Sequence, residues 1–284
     1  MSDILVFGKT GQVATELGLL DGTFCVGRDV ADLSDPAACA ALIEERKPKA
    51  VINAAAYTAV DRAEEEEAPA TTVNGEAPAA MAQACAALDI PFVHISTDYV
   101  LDGLGALPHE PEATPAPLNA YGRSKLVGET AIKQVGGRYC VLRTSWVFSA
   151  HGANFLKTML RLGESRDALT VVGDQIGGPT PARQIALACM AAAAGLSGPD
   201  GRGKSGIYHF SGAPDVSWAD FAREIFSQAG LAVAVTDIPT ADYPTPAARP
   251  LNSRMNCATL EQAFGVARPA WRQDVAEILQ QLGT

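Results

Sequence analysis

The stretch "TPAPLNAYGRSKLVGE" (114–129) sets a tyrosine and a lysine four residues apart on what reads as a helix opening. Tyr121 and Lys125 then lie on one face, one turn from each other. Asn119 is placed to cap the helix, and Pro115 and Pro117 hold the approach extended. Upstream, "FVHISTDYV" (92–100) ends a strand-like run with Thr97 and Asp98. A hydroxyl, a phenol and an ammonium make a set for reducing a ketone, which needs a hydride on carbon and a proton on oxygen. Free tyrosine, with a pKa near 10, is a slow acid at neutral pH. A neighbouring ammonium favours the phenolate and brings the donor towards the working range. Thr97 would hold the carbonyl oxygen beside Tyr121, and Lys125 would also hold the ribose of a nicotinamide cofactor, the source of the hydride. Tyr-x-x-x-Lys also arises by chance, so the rest of the chain must decide.

A cofactor site is readable at the other end. "VFGKTGQVA" follows the first apolar run and carries Gly8, Gly11 and Ala14 at the spacing of a dinucleotide turn. Small residues there permit a tight turn, close approach to a pyrophosphate and packing of the following helix, whose N-terminus suits an anion. Gly8, Thr10, Gly11, Gln12 and Val13 are the expected contacts. Gly8-Lys9-Thr10 also hints at a phosphate-binding P-loop, but that pattern needs a glycine where this chain has Asp3. At the end of the second strand the chain reads Gly27-Arg28-Asp29. An acidic residue there favours NAD and an arginine the 2′-phosphate of NADP. Arg28 tips the expectation to NADPH, with NADH use left open.

The elements that must position these residues follow from periodicity. Apolar runs at 3–8, 24–27, 50–55, 92–97 and 139–148 alternate with helical patterns, which predicts an α/β fold, a Rossmann-like doubly wound parallel sheet. After Phe148 the alternation gives way to a smaller C-terminal substrate-binding lobe. The expected division is a dinucleotide domain at 1–148 with a returning segment at about 168–198, and a lobe at 149–167 and 199–284, which includes the strand "IYHFSG". A cleft between them is the natural ligand site. The run "EEEE" (64–67) reads as a solvated helix start.

Totals narrow the classes. A chain of 284 residues with net charge −10 argues against nucleic acid or an anionic membrane surface as partner. No basic segment precedes the first strand, so no secretory leader is expected, and the longest apolar run (185–196) is too short to span a bilayer. Six cysteines without a Cys-x-x-Cys pair point to a reducing, cytoplasmic setting, and four scattered histidines give no metal spacing.

Together, "FGKTGQV", "NAAAYTAVDRAE", "STDYV", "NAYGRSK", "RTSWVF", "FLKTMLRL", "GDQIGGPT" and "YPTPAARPLNSRMN" resemble the extended short-chain dehydrogenase/reductases, and most closely the dTDP-4-dehydrorhamnose reductase family, over nearly the whole chain. The resemblance implies reduction of dTDP-4-dehydro-L-rhamnose to dTDP-L-rhamnose, the last step to that nucleotide sugar. It puts Thr97, Tyr121 and Lys125 on catalytic positions, and Gly11, Gln12 and Val13 on the pyrophosphate. Asp32 and Leu33 fall on the adenine side, and Ala55, Ala56 and Thr58 towards the nicotinamide half. Asp98, Trp146, Arg249, Asn252, Ser253 and Arg254 fall where the family meets the sugar nucleotide. An arginine can grip a diphosphate through two parallel bonds, which suits Arg249 and Arg254.

One departure matters. Some family members form Mg²⁺-bridged dimers through acidic residues shortly after the G-x-P-T motif. This chain has Arg183 and Gln184 there, and Glu16 alone is a poor site for a hard cation, so the expectation is no metal and a monomer or metal-free homodimer. Rival readings are another nucleotide-sugar ketoreductase or epimerase, and a non-catalytic NADP-binding regulatory subunit. Dehydratases carry Asp-Glu after the strand-end threonine, where this chain has Asp98-Tyr99. The exact sugar and the stereochemical outcome stay open.

Overall fold

Short runs that are apolar on both faces require a sheet covered on two sides. The computed structural model, which describes residues 4–283, contains one. Its first half alternates β1 (Ile4–Phe7), α1 (Gln12–Gly18), β2 (Thr23–Val26), α2 (Pro36–Arg46), β3 (Ala50–Asn53), α3 (Glu67–Thr71), α4 (Ala77–Ala87), β4 (Phe92–Thr97), α5 (Ala120–Val135) and β5 (Tyr139–Thr144). Smaller pieces follow: β6 (Val147–Phe148), α6 (Phe155–Gly163), β7 (Ala168–Val172), β8 (Ile176–Gly177), β9 (Thr180–Pro181), α7 (Ala182–Ser197) and β10 (Gly206–His209). The chain ends with β11 (Val216–Ser217), α8 (Trp218–Gln228), β12 (Ala234–Ile238), β13 (Asn252–Ser253), α9 (Ala258–Phe264) and α10 (Trp271–Leu282).

The main sheet has the order β2–β1–β3–β4–β5–β10 and is parallel throughout. Alternate residues feed two cores. Val6, Ile52 and Leu142 meet α1 and α7, whereas Leu5, Phe7, Val51 and Val141 meet α2, α4 and α5. The strand order reverses between β1 and β3, and in such sheets ligands sit outside the carboxyl ends at that point. A third core, with Phe148, Leu156, Phe221, Trp271 and Ile278, belongs to the lobe.

The structure departs from expectation in three places. The run 139–148 is not one strand: Trp146, at φ 49°, turns the chain out of the sheet, and Val147–Phe148 pair with Thr180–Pro181. The strand "IYHFSG" is not part of the lobe. Gly206–His209 pairs in parallel with Cys140–Arg143, and Tyr208 and Phe210 bury against α7, completing one more strand–helix–strand unit. Conversely, Ala168–Val172 pairs with β12 and buries Val171 in the lobe core, so the return to the sheet starts at α7 rather than at 168. An amphipathic segment records that it buries a face, not which partner covers it.

Candidate active site

The candidate catalytic face is assembled by the approach of α5 to the end of β4. Thr97 ends the strand and caps the following turn, its Oγ1 accepting from Tyr99 N–H at 3.2 Å. Asn119 caps α5 through Gly122 N–H at 2.8 Å, and Glu64 Oε1 accepts from Ala120 N–H at 2.7 Å. Gly122 is required by this approach: a Cβ there would sit 2.1 Å from Tyr99 O. A π-helical turn at Thr72–Glu76 projects Asn74, which bonds Ser124 Oγ at 2.9 Å and the backbone of Tyr57. It thereby ties the loop after β3 to α5. The acidic run is therefore not merely solvated: Glu64 caps α5, Glu66 accepts from Tyr57 Oη, and Glu67 pairs with Arg123.

Burial dominates the electrostatics here. Thr97, Asp98 and Lys125 are 6, 3 and 1 % exposed. Asp98 Oδ1 accepts from Thr97 Oγ1 at 3.1 Å and Oδ2 from Ser253 Oγ at 2.5 Å. Loss of water still outweighs those bonds and pushes the Asp98 carboxyl up to about 6. Desolvation likewise raises the Tyr121 phenol above its ordinary value; the Thr97 hydroxyl pulls it down, and the Asp98 charge pushes it further up. Lys125 Nζ donates to Ile95 O at 2.7 Å and stands 3.1 Å from His94 Nε2. Burial lowers its pKa to about 7. The expected lowering of the Tyr121 pKa by a lysine ammonium is not what this structure holds: a desolvated Lys125 is a weak cation, and the phenol is protonated at neutral pH.

The glycine turn lies at the switch point between β1 and β3. Gly8 has φ 118°, and a Cβ there would press within 3.3 Å of the Ala54 and Ala55 backbone, so both conformation and space demand glycine. Around Gly11, by contrast, nothing lies within 4 Å of a Cβ position. Packing within the chain leaves this face open, which fits a dinucleotide pyrophosphate lying over it. Val13 is buried in the core under the turn, and Thr10 and Thr58 are exposed. The Gln12 side chain is committed elsewhere, accepting from Ser149 Oγ and Asn154 Nδ2 at 2.8 and 2.9 Å, so only its backbone is available. Beyond β2, Arg28 is exposed. The Lys9 side chain, which sequence reasoning overlooked, passes 3.4 Å from the Cβ position of Gly27, bringing a second cation to that corner. Asp32 accepts from Ser34 N–H at 2.9 Å, and Leu33 is a core residue. Ala55 and Ala56 follow β3, half-buried.

The C-terminal segment closes over the same strand ends. β13 pairs with β8, which delivers Ser253 to Asp98. Asn252 is a staple rather than a free contact, its Nδ2 donating to Leu104 O at 3.1 Å and Leu107 O at 2.9 Å. Arg254 donates to Asn252 Oδ1 at 3.0 Å. Arg249 is held by Asp61, 2.8 Å from Oδ2, and lies 5.9 Å from the Tyr99 ring centroid. Trp146 stacks on Trp218 with centroids 3.6 Å apart, a partner no local pattern announced. Glu16 has company that its sequence position hid: it bonds His151 at 3.0 Å and borders a small pocket with Arg183, Asp274 and Glu277. Among the described residues no cluster of three or more His, Cys, Asp or Glu forms a metal-ready group.

Comparison with known proteins bears on the family and the fold. The family model described as the RmlD substrate binding domain matches residues 1–284. A dTDP-4-dehydrorhamnose reductase of Burkholderia thailandensis is 44 % identical, covering 98 % of each chain. Its counterpart from Sinorhizobium fredii is 41 % identical over 97 % of this chain and 96 % of its own. The solved dTDP-4-dehydrorhamnose reductase of Bacillus anthracis, in complex with NADP, superposes with a TM-score of 0.90 at 31 % identity, covering 99 % of this chain and all of that one (100 %).

Proposed function

The chain belongs to the family of the RmlD substrate binding domain, and from that premise we infer that it is an NADP(H)-dependent oxidoreductase that reduces the C4 ketone of dTDP-4-dehydro-L-rhamnose to dTDP-L-rhamnose. The observation that carries the reading is the convergence of Thr97, Asp98 and Tyr121 at one strand end, with Lys125 one turn further along α5.

In this reading Tyr121 Oη delivers the proton to the ketone oxygen. Burial keeps the phenol protonated until a substrate oxygen reaches it. Thr97 turns its hydroxyl from Asp98 Oδ1 to the same oxygen and fixes it beside Tyr121. Asp98 and Ser253 meet the sugar ring. Bound NADPH supplies the hydride. Gly8, Thr10, Gly11, Gln12 and Val13 would hold its pyrophosphate through the backbone, Arg28 and Lys9 the 2′-phosphate, and Asp32 and Leu33 the adenine side. Ala55, Ala56, Thr58, Tyr121 and Lys125 would line the nicotinamide half. Arg249 leaves Asp61 for the substrate diphosphate, Arg254 adds a second cation, Asn252 holds the loop between them, and Trp146 with Trp218 walls the sugar side. NADH is the alternative donor.

We take the working unit to be a monomer or a metal-free homodimer, since Arg183 and Gln184 stand where the bridging carboxylates would be needed. A cytoplasmic site of action suits the six free cysteines, and no helix among the described residues is long and apolar enough to cross a membrane. The test is oxidation of NADPH with dTDP-4-dehydro-L-rhamnose generated in place by a 3,5-epimerase, followed by loss of the reduced-nicotinamide absorbance. Turnover supports the reading. Measurable NADPH binding with no oxidation rejects it in favour of another keto sugar or a non-catalytic role.

A further inference from the structure

Under the catalytic face lies a buried polar chain that neither motif nor family role explains. Asn53, His94 and Lys125 are 0, 0 and 1 % exposed, and their hydrogen bonds can be counted proton by proton. Ala55 N–H lies 3.1 Å from Asn53 Oδ1. A backbone N–H only donates, so the oxygen of this amide faces it and the Nδ2 group faces His94 Nδ1, also at 3.1 Å. His94 is neutral: its Nδ1 faces an amide donor and has no room for a proton, and burial holds its pKa well below the usual histidine range. A neutral imidazole carries one proton. Because Nδ1 accepts from Asn53, that proton sits on Nε2, which stands 3.1 Å from Lys125 Nζ. An ammonium has no lone pair, and two N–H donors cannot share that line.

We propose that Asn53 and His94 hold Lys125 as a neutral amine in the cofactor-free protein, His94 Nε2–H donating to the Nζ lone pair while Nζ–H donates to Ile95 O. Asn53 and His94 are thus positioning residues that act through Lys125. The other groups facing this lysine leave that arrangement in place. Glu129, one turn further along α5, draws its pKa upwards, but that carboxylate is itself bound by Arg143 at 2.7 Å and Ser96 at 2.5 Å. Tyr121, one turn earlier, is a protonated phenol. The lowered lysine pKa, about 7, agrees with the bond count. The ammonium that would sharpen Tyr121 as an acid is therefore conditional: it needs a new acceptor for Nζ or a reversed His94 tautomer. That consequence for catalysis rests on the reductase reading above; the charge state itself does not.

The test is solution NMR on the whole cofactor-free protein with isotope-labelled lysine and histidine. At about pH 8, wild type is expected to show His94 protonated on Nε2 only and a Lys125 resonance titrating near 7, far below surface lysines. In His94→Gln the amide oxygen can turn to Nζ and accept from an ammonium, so the Lys125 midpoint rises by at least about one pH unit. In Asn53→Asp the donor to Nδ1 is lost, and the His94 proton moves to Nδ1. A wild-type proton on Nδ1, a Lys125 that titrates with the surface lysines, or an unchanged midpoint in His94→Gln overturns the proposal. The wild-type spectrum decides even where a variant does not fold. Failure of the reductase reading shows separately, as NADPH that binds without being oxidised by the keto sugar.

Discussion

At the end of β4 the polar groups are sealed on fixed partners: Asp98 on Thr97 and on Ser253 from β13, Lys125 on Ile95 and His94. At the C-terminal anchor, Arg249 waits on a half-exposed Asp61, and Arg254 on a neighbouring amide. The first region has given up water in advance, so its groups carry shifted proton affinities and a fixed geometry. The second keeps its cations near solvent on partners they can exchange. A substitution in the first should change turnover or stability with pH. In the second it should change apparent substrate affinity and leave turnover close to intact.

Tyr121→Phe is the most severe trial of that contrast. It removes the proton donor of the proposed mechanism while leaving ring and packing, so kcat/KM is expected to fall by at least about a hundredfold, in the range for general acid catalysis. NADPH affinity and thermal midpoint should stay near wild type. A loss below about tenfold would mean that another group supplies the proton, and the sealed region would then be scaffolding.

Asp98 tests the cost of sealing. Its pKa rises from 3.8 to about 6 on folding, so the folded chain keeps this proton to higher pH than the unfolded chain does. The resulting stability is fully present below about pH 4 and is lost as pH climbs through about 6, a change of up to about 3 kcal/mol. Asp98→Asn removes that dependence. Denaturant unfolding of both proteins should show the variant gaining on wild type by up to that amount between about pH 4 and pH 7. A difference that does not move with pH would show that hydrogen bonds from Thr97 and Ser253 repay the desolvation in full.

How much of this was legible follows the same divide. β1 to β4 and the shared face of Tyr121 and Lys125 are local matters, set by periodicity and by a four-residue spacing, and they were readable. The reason for Gly122 was not, since it lies in Tyr99 O, nor was the cap from Glu64, 56 residues away in sequence. His94 read as one more strand residue because nothing local says that its ring meets Asn53 and Lys125. The apolar pattern of β10 does not say that it joins the sheet rather than the lobe, and nothing local marks Trp218 as the partner of Trp146, for the same reason: burial is written in a residue, its partner is not. Only resemblance points to the anchor arginines, and the rest position of Arg249 on Asp61 has no local signature at all.

Arg249→Met addresses the anchor directly. Loss of a charge-assisted contact to a diphosphate costs about 1.5–3 kcal/mol, so KM for the nucleotide sugar should rise about ten- to a hundredfold with kcat within a few-fold and KM for NADPH unmoved. A collapse of kcat instead would place Arg249 in the chemistry and erase the contrast between the two regions.

The smallest effect expected is the most specific. Asp61 holds Arg249 through Oδ2 and receives Ala247 N–H on Oδ1 at 3.1 Å. Asp61→Asn can keep the acceptor for Ala247 while removing the charge that competes with a substrate diphosphate. Exposed ion pairs contribute about 0.2–1 kcal/mol, so KM should fall by no more than about fivefold, with the difference fading at high salt. In the Arg249→Met background the same change should do nothing, because the competition it relieves no longer exists. A rise in KM would reverse the reading: Asp61 would then be the group that aims Arg249 at its target, and the anchor would be as preorganised as the strand end it was contrasted with.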